Sequence, residues 1–522
     1  MMSDSSALSI TAFSINNALL EFSIVLDIEL EQVAQRNLIN DTRSIKAHDI
    51  FCAVIGSEQD GRKYIEEAIK LGADMVIAQC LDVEQHGCIA LEDMIVDEDT
   101  QQTRTVAIID FYQLDCHLFA LAKSYYQNPQ DQLRMIGITG TNGKTSTSQI
   151  IAQLLNGCKQ NCAVIGTVGA GLLGDLTEIN NTTPGATQLH QLLSDFTQKN
   201  VSHVAMEISS HALTQHRVTP QLIDVAVFTN LSRDHLDYHK TMANYADAKY
   251  QLFSHESSQI AVINGDDLQA KTWLNNWSSE EIVFVYGRSH NIKHFSHFVH
   301  ASDIKHTCAG VTFLLDTHLG SIHINSPLMG DFNIDNLLAA IAVLLTQNYS
   351  LDNVNQAITK LQPIIGRMES FSLKGKPTAI VDYAHTPDAL SNALIACRQH
   401  CLGELWVVFG CGGNRDKGKR SLMGEVAELH ADHVVVTNDN PRHESANDII
   451  DDILLGFKMP DKATVILDRE AALMSTLALA KPDDMVLLAG KGHEDYIIIG
   501  NEKMSYNERQ LVKKAYLNEA LS

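Results

Sequence analysis

The sequence predicts an α/β protein of three domains, with a mostly parallel sheet at its centre. Three observations carry this: a length of 522 residues, apolar runs of strand length alternating with helical patterns, and turn-rich joints near positions 130 and 365. One hydrophobic core rarely serves a chain this long, because domains usually hold roughly 100–200 residues. Hydrophobic residues make up 45% of the chain and charged residues 20%, with 10 prolines and no biased tract, the composition of an ordinary folded enzyme.

The first domain is expected over residues 1–130. From Asp49 the stretch DIFCAVIG reads as a strand, GRKYIEEAIKLGA as a helix and DMVIAQC as a second strand. The polar segment Gln127-Asn128-Pro129-Gln130-Asp131 carries turn residues and directly precedes the strand-like Met135-Ile136-Gly137-Ile138, so it marks a boundary. Residues 131–365 form the second domain. There, strands such as NCAVIG, SHVAMEIS and DVAVFTN alternate with helical segments, the pattern of a parallel sheet covered by helices. Beyond Gly366 the alternation restarts with TAIVDYA, LWVVFG, HVVVTN and MVLLAG, separated by helical patterns including PDALSNALIACRQH and REAALMSTLALA. Residues 366–522 therefore read as a doubly wound, Rossmann-like third domain.

Charge narrows the function classes. With 39 Lys and Arg against 63 Asp and Glu, the net charge of -24 excludes the basic footprint that an extended grip on nucleic acid or anionic membrane requires. Anionic substrates must then be held by local basic residues. The start MMSDSSALSI lacks a basic segment ahead of an apolar one, and no run approaches the roughly 18 apolar residues of a membrane span, so a cytoplasmic protein without membrane insertion is expected. The 10 cysteines include no C-x-x-C pair, the closest being Cys158/Cys162 and Cys397/Cys401, and read as reduced core thiols. Among the 23 histidines, His290, His294, His297 and His300 are bunched, but no Cys or carboxylate pattern completes a metal set, and strand-rich surface is the better reading.

The strongest chemical signal is Gly140-Thr141-Asn142-Gly143-Lys144-Thr145, which follows a strand and opens the helical run SQIIAQLL at Ser146. In that context backbone N–H groups and a helix N-terminus face an anion, Lys144 adds a point charge and the Thr145 hydroxyl can ligate Mg²⁺. This makes the central sheet P-loop-type. Downstream, Glu207 ends an apolar strand, as a metal-binding acid beside such a loop does, although strands also finish on solvated carboxylates. His235, in FTNLSRDHLDYH, can supply an imidazole to a second metal. Strand ends at the C-terminal edge of a parallel sheet face one crevice. Lys249, in ANYADAKYQLF, reads from spacing alone as a surface helical lysine.

Ile138 stands where the general G-x-x-x-x-G-K-[ST] loop has its first glycine. This compact form, GTNGKT, resembles the superfamily of Mur ligases and folylpolyglutamate synthetases, in which ATP phosphorylates a carboxylate. Motifs in the Mur ligase order run along nearly the whole chain and are most similar to the diaminopimelate-adding branch. The resemblance implies an N-carboxylated (carbamoylated) Lys249 supporting Mg²⁺, chemistry that needs a neutral amine and is favoured by burial. It also implies Mg²⁺ ligation by Thr145, Glu207 and His235, and catalytic roles for Lys144, Glu207, His235 and Lys249. For ATP it implies Gly140 to Ser146, with Asn336 of GDFNIDN at the adenine, Arg367 bridging phosphates, and Asp382 and His385 of DYAH. UDP-MurNAc-L-Ala-D-Glu falls to Asn40, Thr42 (where the family usually has serine), Ser57, Glu58, Gln59, Asn181, Thr182, Thr183, Ser209, Gln215 and Arg217.

The third domain adds the clue to the incoming amino acid. Asp439-Asn440-Pro441-Arg442 follows the strand HVVVTN and resembles the DNPR signature of ligases that accept meso-diaminopimelate. As bare sequence it is a turn with an exposed arginine, but Arg442 offers a planar fork suited to a carboxylate and Pro441 stiffens the loop. Arg415 of GCGGNRDKGKR, and Gly490 and Glu494 of AGKGHED, match the other amino-acid-binding positions. The expected enzyme is thus an ATP-dependent amide ligase of peptidoglycan precursor synthesis, working through an acyl phosphate as a monomer. A folylpolyglutamate synthetase shares the ATP chemistry but has no reason for DNPR; a nucleotide switch would not need both an acid and an amine to release phosphate.

Overall fold

The computed structural model describes residues 10–27, 36–56, 59–97, 102–253, 259–277, 282–307 and 309–519; Ser57 and Glu58 lie outside the described residues. The chain forms two compact α/β units, one drawn from 1–140, 160–227 and 233–260, the other from 141–159, 228–232 and 261–522.

The first unit holds β1 (Leu38–Ile39), β2 (Ile50–Ala53), β3 (Met75–Cys80), β4 (Ile89–Asp97) and β5 (Gln102–Tyr112) in the order β1-β2-β3-β5-β4. All neighbours are parallel except β4, which returns antiparallel to β5. The apolar runs DIFCAVIG and DMVIAQC are β2 and β3, buried along their whole length. Strand alternation splits their side chains between two cores: Ile50, Cys52, Met75 and Ile77 pack into one, Phe51, Ala53, Val76 and Ala78 into the other.

The same unit carries β6 (Arg134–Thr139), β7 (Cys162–Gly166), β8 (Gly169–Leu172), β9 (Asp175–Thr177), β10 (His203–Glu207) and β11 (Val225–Phe228), ordered β11-β6-β10-β7-β8-β9. β6, β10 and β7 are parallel, while β8 and β9 fold back as hairpins. Glu207 at the end of β10 lies in register with Ile138 of β6, so the loops leaving these two strands emerge at the same edge.

In the second unit β12 (Ile260–Asn264), β13 (Val283–Gly287) and β14 (His297–Thr307) are parallel and continue into an antiparallel run through β15 (Gly310–Thr317) and β16 (Gly320–Ser326). The bunched histidines fall here: His290 and His294 bound a 3-10 turn, and His300 is buried on β14 with its Nε2 bonded to the Arg288 carbonyl.

The C-terminal segment of this unit is doubly wound. β17 (Glu369–Phe371), β18 (Thr378–Asp382), β19 (Leu405–Phe409), β20 (His433–Val436), β21 (Ala463–Val465) and β22 (Met485–Ala489) stand in the order β17-β18-β22-β19-β20-β21, parallel apart from β17. A hairpin of β23 (Tyr496–Ile499) and β24 (Glu502–Ser505) follows. Helices Pro387–His400, Gly418–His430 and Ala446–Leu454 cover one face; Arg469–Leu479 and Glu508–Glu519 cover the other. This packing brings Asp382, the last residue of β18, and the loops after β19, β20 and β22, which carry Arg415, Asp439 and Gly490, to the C-terminal edge of one sheet. Arg469 braces that edge. It is paired with Glu508 at 2.9 Å, both fully buried, and its remaining donors reach the carbonyls of Ala489 (2.8 Å) and Asn438 (3.2 Å).

The thiol expectation needs one correction. Cys52, Cys162 and Cys411 are buried, and burial pushes each thiol up to about 12, but Cys88 and Cys116 are exposed. Cys88 sits in the turn before β4, and Cys116 on the exposed side of the helix Leu114–Tyr125.

No helix among the described residues is long and apolar enough to cross a membrane.

Candidate active site

The loop after β6 turns through Gly140 and Gly143 into the helix Lys144–Gly157. Gly143 has a φ of 86°, and a Cβ there would lie 2.5 Å from Asn336 Oδ1, so conformation and space both demand glycine. No side chain caps this helix, and its first-turn amides point out of the N-terminus, the arrangement that receives anions. The loop is pinned from behind: Thr141 N donates to Asn230 O at 2.8 Å, Asn142 N to Asn230 Oδ1 at 3.0 Å, and Thr229 Oγ1 to Asn142 O at 2.6 Å. Because the Thr141 and Asn142 amides are committed to Asn230, the anion-facing donors are those that open the helix. Lys144 curls over the turn, its Nζ 2.9 Å from Thr141 O.

A cavity of about 730 Å³ opens beside this loop, within the size range of small-molecule sites. Asn142, Gly143, Ser146, Asn336, Arg367 and Asp382 line it. Asn336 braces the loop, accepting from Thr147 Oγ1 (3.1 Å) and donating to Asn333 Oδ1 (3.1 Å). Arg367 lies over the Tyr383 ring at 4.9 Å, its Nε buried and without a hydrogen-bond partner among the described residues. Asp382 accepts from the amides of Met368 and Ala384, both at 2.8 Å, and so shapes the turn that carries Arg367; burial pushes its carboxyl up, against the pull of Arg367. His385 is exposed, with Nδ1 bonded to Tyr383 O at 2.9 Å, and does not line the cavity.

In the first unit Glu207 is 1% exposed, which rules out a solvated strand end. Its carboxylate accepts from Thr167 N (3.0 Å) and Thr167 Oγ1 (3.2 Å). Lys249 is equally buried, its Nζ 2.8 Å from the Gly140 carbonyl and 4.5 Å from the centre of the Tyr245 ring. The surface reading of this lysine is therefore wrong. His235 adopts a left-handed backbone (φ 52°) with its ring 5.0 Å from His211, and His211 lies 5.4 Å from His239. Burial, then neighbouring His235, holds His211 below its ordinary value; burial, then His211, does the same to His239.

Close by in sequence and space, Thr183 Oγ1 bonds Glu207 O (2.9 Å) and Ser209 Oγ (3.4 Å), and Arg217 reaches Thr183 O (3.4 Å) and Gln215 Oε1. Thr182 bonds Thr167 Oγ1 at 3.1 Å. Asn181 flanks this pair in the same turn. Asn40 Oδ1 accepts from Thr187 Oγ1 at 3.1 Å, while Thr42 opens a 3-10 turn capped by Asp41, and Gln59 is bonded by the Tyr64 hydroxyl.

At the edge of the doubly wound sheet, Asn440 Nδ2 donates to Glu494 Oε2 at 3.0 Å, and Arg442 Nη1 donates to the carbonyls of Gly413 (3.0 Å) and Asn440 (3.4 Å). Among the described residues no carboxylate pairs with Arg442. Pro441 is buried, Arg415 is exposed near Gly412, and Gly490 backs onto Asp439. Burial would raise the Asp439 carboxyl, but Lys491 and Arg469 outweigh it and hold it below the usual carboxylate range.

Two family models match this chain: the Mur ligase middle domain over residues 138–344, and the Mur ligase glutamate ligase domain over 366–492. The chain is also 41% identical, over 486 residues, to the UDP-N-acetylmuramoyl-L-alanyl-D-glutamate--2,6-diaminopimelate ligase of Haemophilus influenzae, covering 93% of this chain and 96% of that protein. The chain belongs to the Mur ligase family. A solved UDP-N-acetylmuramoyl-L-alanyl-D-glutamate--2,6-diaminopimelate ligase superposes with a TM-score of 0.67 at 33% identity, covering 95% of this chain and 98% of that one. MurF from Acinetobacter baumannii, at 17% identity and a TM-score of 0.61 over 97% of this chain and 98% of its own, shares the fold.

Sequence reasoning missed several residues of this Mur ligase that the structure brings to its sites. Tyr286 and Arg288 line the cavity, Arg288 held by Asp331 (2.7 Å) and Asp335 (2.9 Å). His211 lies against both His235 and His239, and Lys491 joins the Asn440–Glu494 pair. Only Lys491 carried a readable signal, a lysine between two glycines just past an apolar strand.

Gly166 was also passed over. A Cβ at this position would fall 2.0 Å from Glu207 Oε1. Gly166→Ala is therefore expected to displace that carboxylate and to lower stability by about 1–3 kcal/mol through overpacking. A thermal melt equal to that of the wild type would show that the site tolerates the methyl group.

Proposed function

We propose that this Mur ligase adds meso-2,6-diaminopimelate to UDP-N-acetylmuramoyl-L-alanyl-D-glutamate in an ATP-dependent reaction of peptidoglycan precursor synthesis. The observation that carries the reading is the 41% identity, along nearly the full length of both chains, to a ligase of that name. The three-domain division at residues 130 and 365, a monomeric state and a cytoplasmic location belong to the same proposal.

In the proposed cycle the D-Glu side-chain carboxylate attacks the ATP γ-phosphate and ADP departs, leaving an acyl phosphate. The diaminopimelate amine then attacks the acyl carbon, and phosphate leaves as the amide forms. Lys144 and the amides opening its helix stabilise charge on the transferred phosphoryl group. Arg367, with a buried unpartnered Nε in the cavity, suits a second phosphate contact. Thr182, Thr183, Ser209, Gln215 and Arg217 hold the nucleotide peptide, together with Asn40, Thr42, Ser57, Glu58, Gln59 and Asn181. Arg415, Asp439, Asn440, Pro441, Arg442, Gly490 and Glu494 hold diaminopimelate.

The residues present fit Mg²⁺. The residues that would hold the ion, by the family resemblance, are Thr145, Glu207 and His235, with substrate phosphates supplying further oxygens. A carbamoylated Lys249 suits this donor set, because it adds two oxygens yet keeps one N–H for the Gly140 carbonyl, 2.8 Å away. Mg²⁺ would neutralise charge on the phosphates.

The test is phosphate release with defined substrates. Release should require UDP-muramoyl-L-Ala-D-Glu and diaminopimelate together; release with neither present would point to a switch ATPase. Specificity should follow Arg442, because L-lysine lacks the second carboxylate that diaminopimelate carries. A charge-assisted pair contributes about 1.5–3 kcal/mol, roughly ten- to a hundredfold in kcat/KM. Wild type should prefer diaminopimelate by at least that factor, since lysine also leaves the guanidinium without its anion. Arg442→Ala should erase most of the preference. Competition assays that find equal use of lysine by wild type, or an unchanged preference in the variant, refute the pocket.

A further inference from the structure

Lys491 is fully buried, and nothing in the reaction described above uses it. Its Nζ lies 2.8 Å from Asn440 Oδ1, 2.9 Å from Tyr496 O, 3.1 Å from Glu494 Oε2 and 3.0 Å from Asp439 Oδ1. An ammonium has three protons. Four oxygens stand within reach of those three protons, so none is left for a further partner. A group with every donor spent and no exposed surface does not touch a substrate; it acts through its neighbours.

Those neighbours are left with one arrangement. Asn440 Oδ1 accepts from Lys491 Nζ and also from Ile498 N at 2.8 Å, so both donors identify that atom as the oxygen. Its Nδ2 must then face Glu494, and it does, at 3.0 Å from Oε2. Glu494 Oε2 thus takes two donors, from Asn440 and Lys491, while no donor reaches Oε1 among the described residues. The Glu494 side chain keeps 14% of its surface exposed. The same Asn440 receives Arg442 Nη1 on its backbone carbonyl. An anionic oxygen and a guanidinium are therefore set in place through one asparagine.

Resting on the ligase reading, we propose that Lys491 is a positioning residue that turns Glu494 to receive the far ammonium of diaminopimelate, while Arg442 receives the carboxylate on the same carbon. Without Lys491 the Asn440 amide loses the donor that orients it, and Asp439 and Glu494 lose their shared cation. Glu494 then no longer presents Oε1 to the ligand. Recognition of the amine suffers; recognition of the carboxylate does not.

The experiment compares diaminopimelate with 2-aminopimelate, which keeps the far carboxylate and lacks the far amine, in phosphate-release assays on wild type, Lys491→Met and Lys491→Gln. Lys491→Gln keeps an amide donor and removes the charge that Asp439 and Glu494 share. For Lys491→Met the KM for diaminopimelate should rise at least about tenfold, as expected for a buried charge-assisted network that loses one member. Its KM for 2-aminopimelate should stay within about twofold of wild type, because that ligand does not use Glu494. Lys491→Gln should show the same selective loss and decides the matter if Lys491→Met does not fold. An unchanged diaminopimelate KM, or an equal rise for both amino acids, overturns the proposal while the ligase reading stands. Absence of diaminopimelate-dependent release by wild type overturns both.

Discussion

Lys144→Ala should lose ligation almost completely, with kcat reduced by about 10²–10³-fold, the usual cost of removing one preorganised donor from a charged transition state. The helix should survive the change, because alanine is a strong helix former and the loop keeps its bonds to Asn230 and Thr229 when the Lys144–Thr141 contact is lost. The nucleotide peptide should still bind, since Thr182, Thr183, Ser209, Gln215 and Arg217 form their own cluster. Calorimetry should thus find its Kd within about twofold of wild type, as for sites without shared partners. Normal turnover by the variant would remove this loop from the mechanism.

The second large effect is expected at Lys249. Lys249→Ala should be nearly inactive, with a loss of about a hundredfold or more, as for a metal-supporting group in a buried site. Short carboxylates such as acetate or formate should restore part of the activity by replacing the carbamate oxygens. Intact-protein mass measured under CO₂ should show one added carboxyl group on wild type and none on the variant. The side chain is 1% exposed, and a carbamate nitrogen there keeps one N–H for the Gly140 carbonyl, 2.8 Å away. Full wild-type activity at low CO₂, together with an unmodified lysine, would defeat the hypothesis.

What the sequence by itself determined is what depends on neighbours along the chain. The strand–GTNGKT–helix segment, the alternation that builds the doubly wound sheet and the turn chemistry of Asp439-Asn440-Pro441-Arg442 are local patterns: glycine spacing, strand and helix periods, and a proline-stiffened loop. Each was legible, as were the family motifs strung along it. The hairpins β8–β9 and β14–β16 were less so, because an antiparallel return is set by turns whose consequences appear only when strands pair. Tertiary structure alone decided the environment of each charge. Lys249 reads as a surface lysine until the fold brings it to Gly140, 109 positions away, and Glu207 reads as a strand end until Gly166 makes room for its carboxylate. Asn440 meets Lys491 across 51 positions and Ile498 across 58. Periodicity tells which face of an element is apolar, but not which polar atom another element will set against it. Burial and hydrogen-bond partners arise only when distant segments pack.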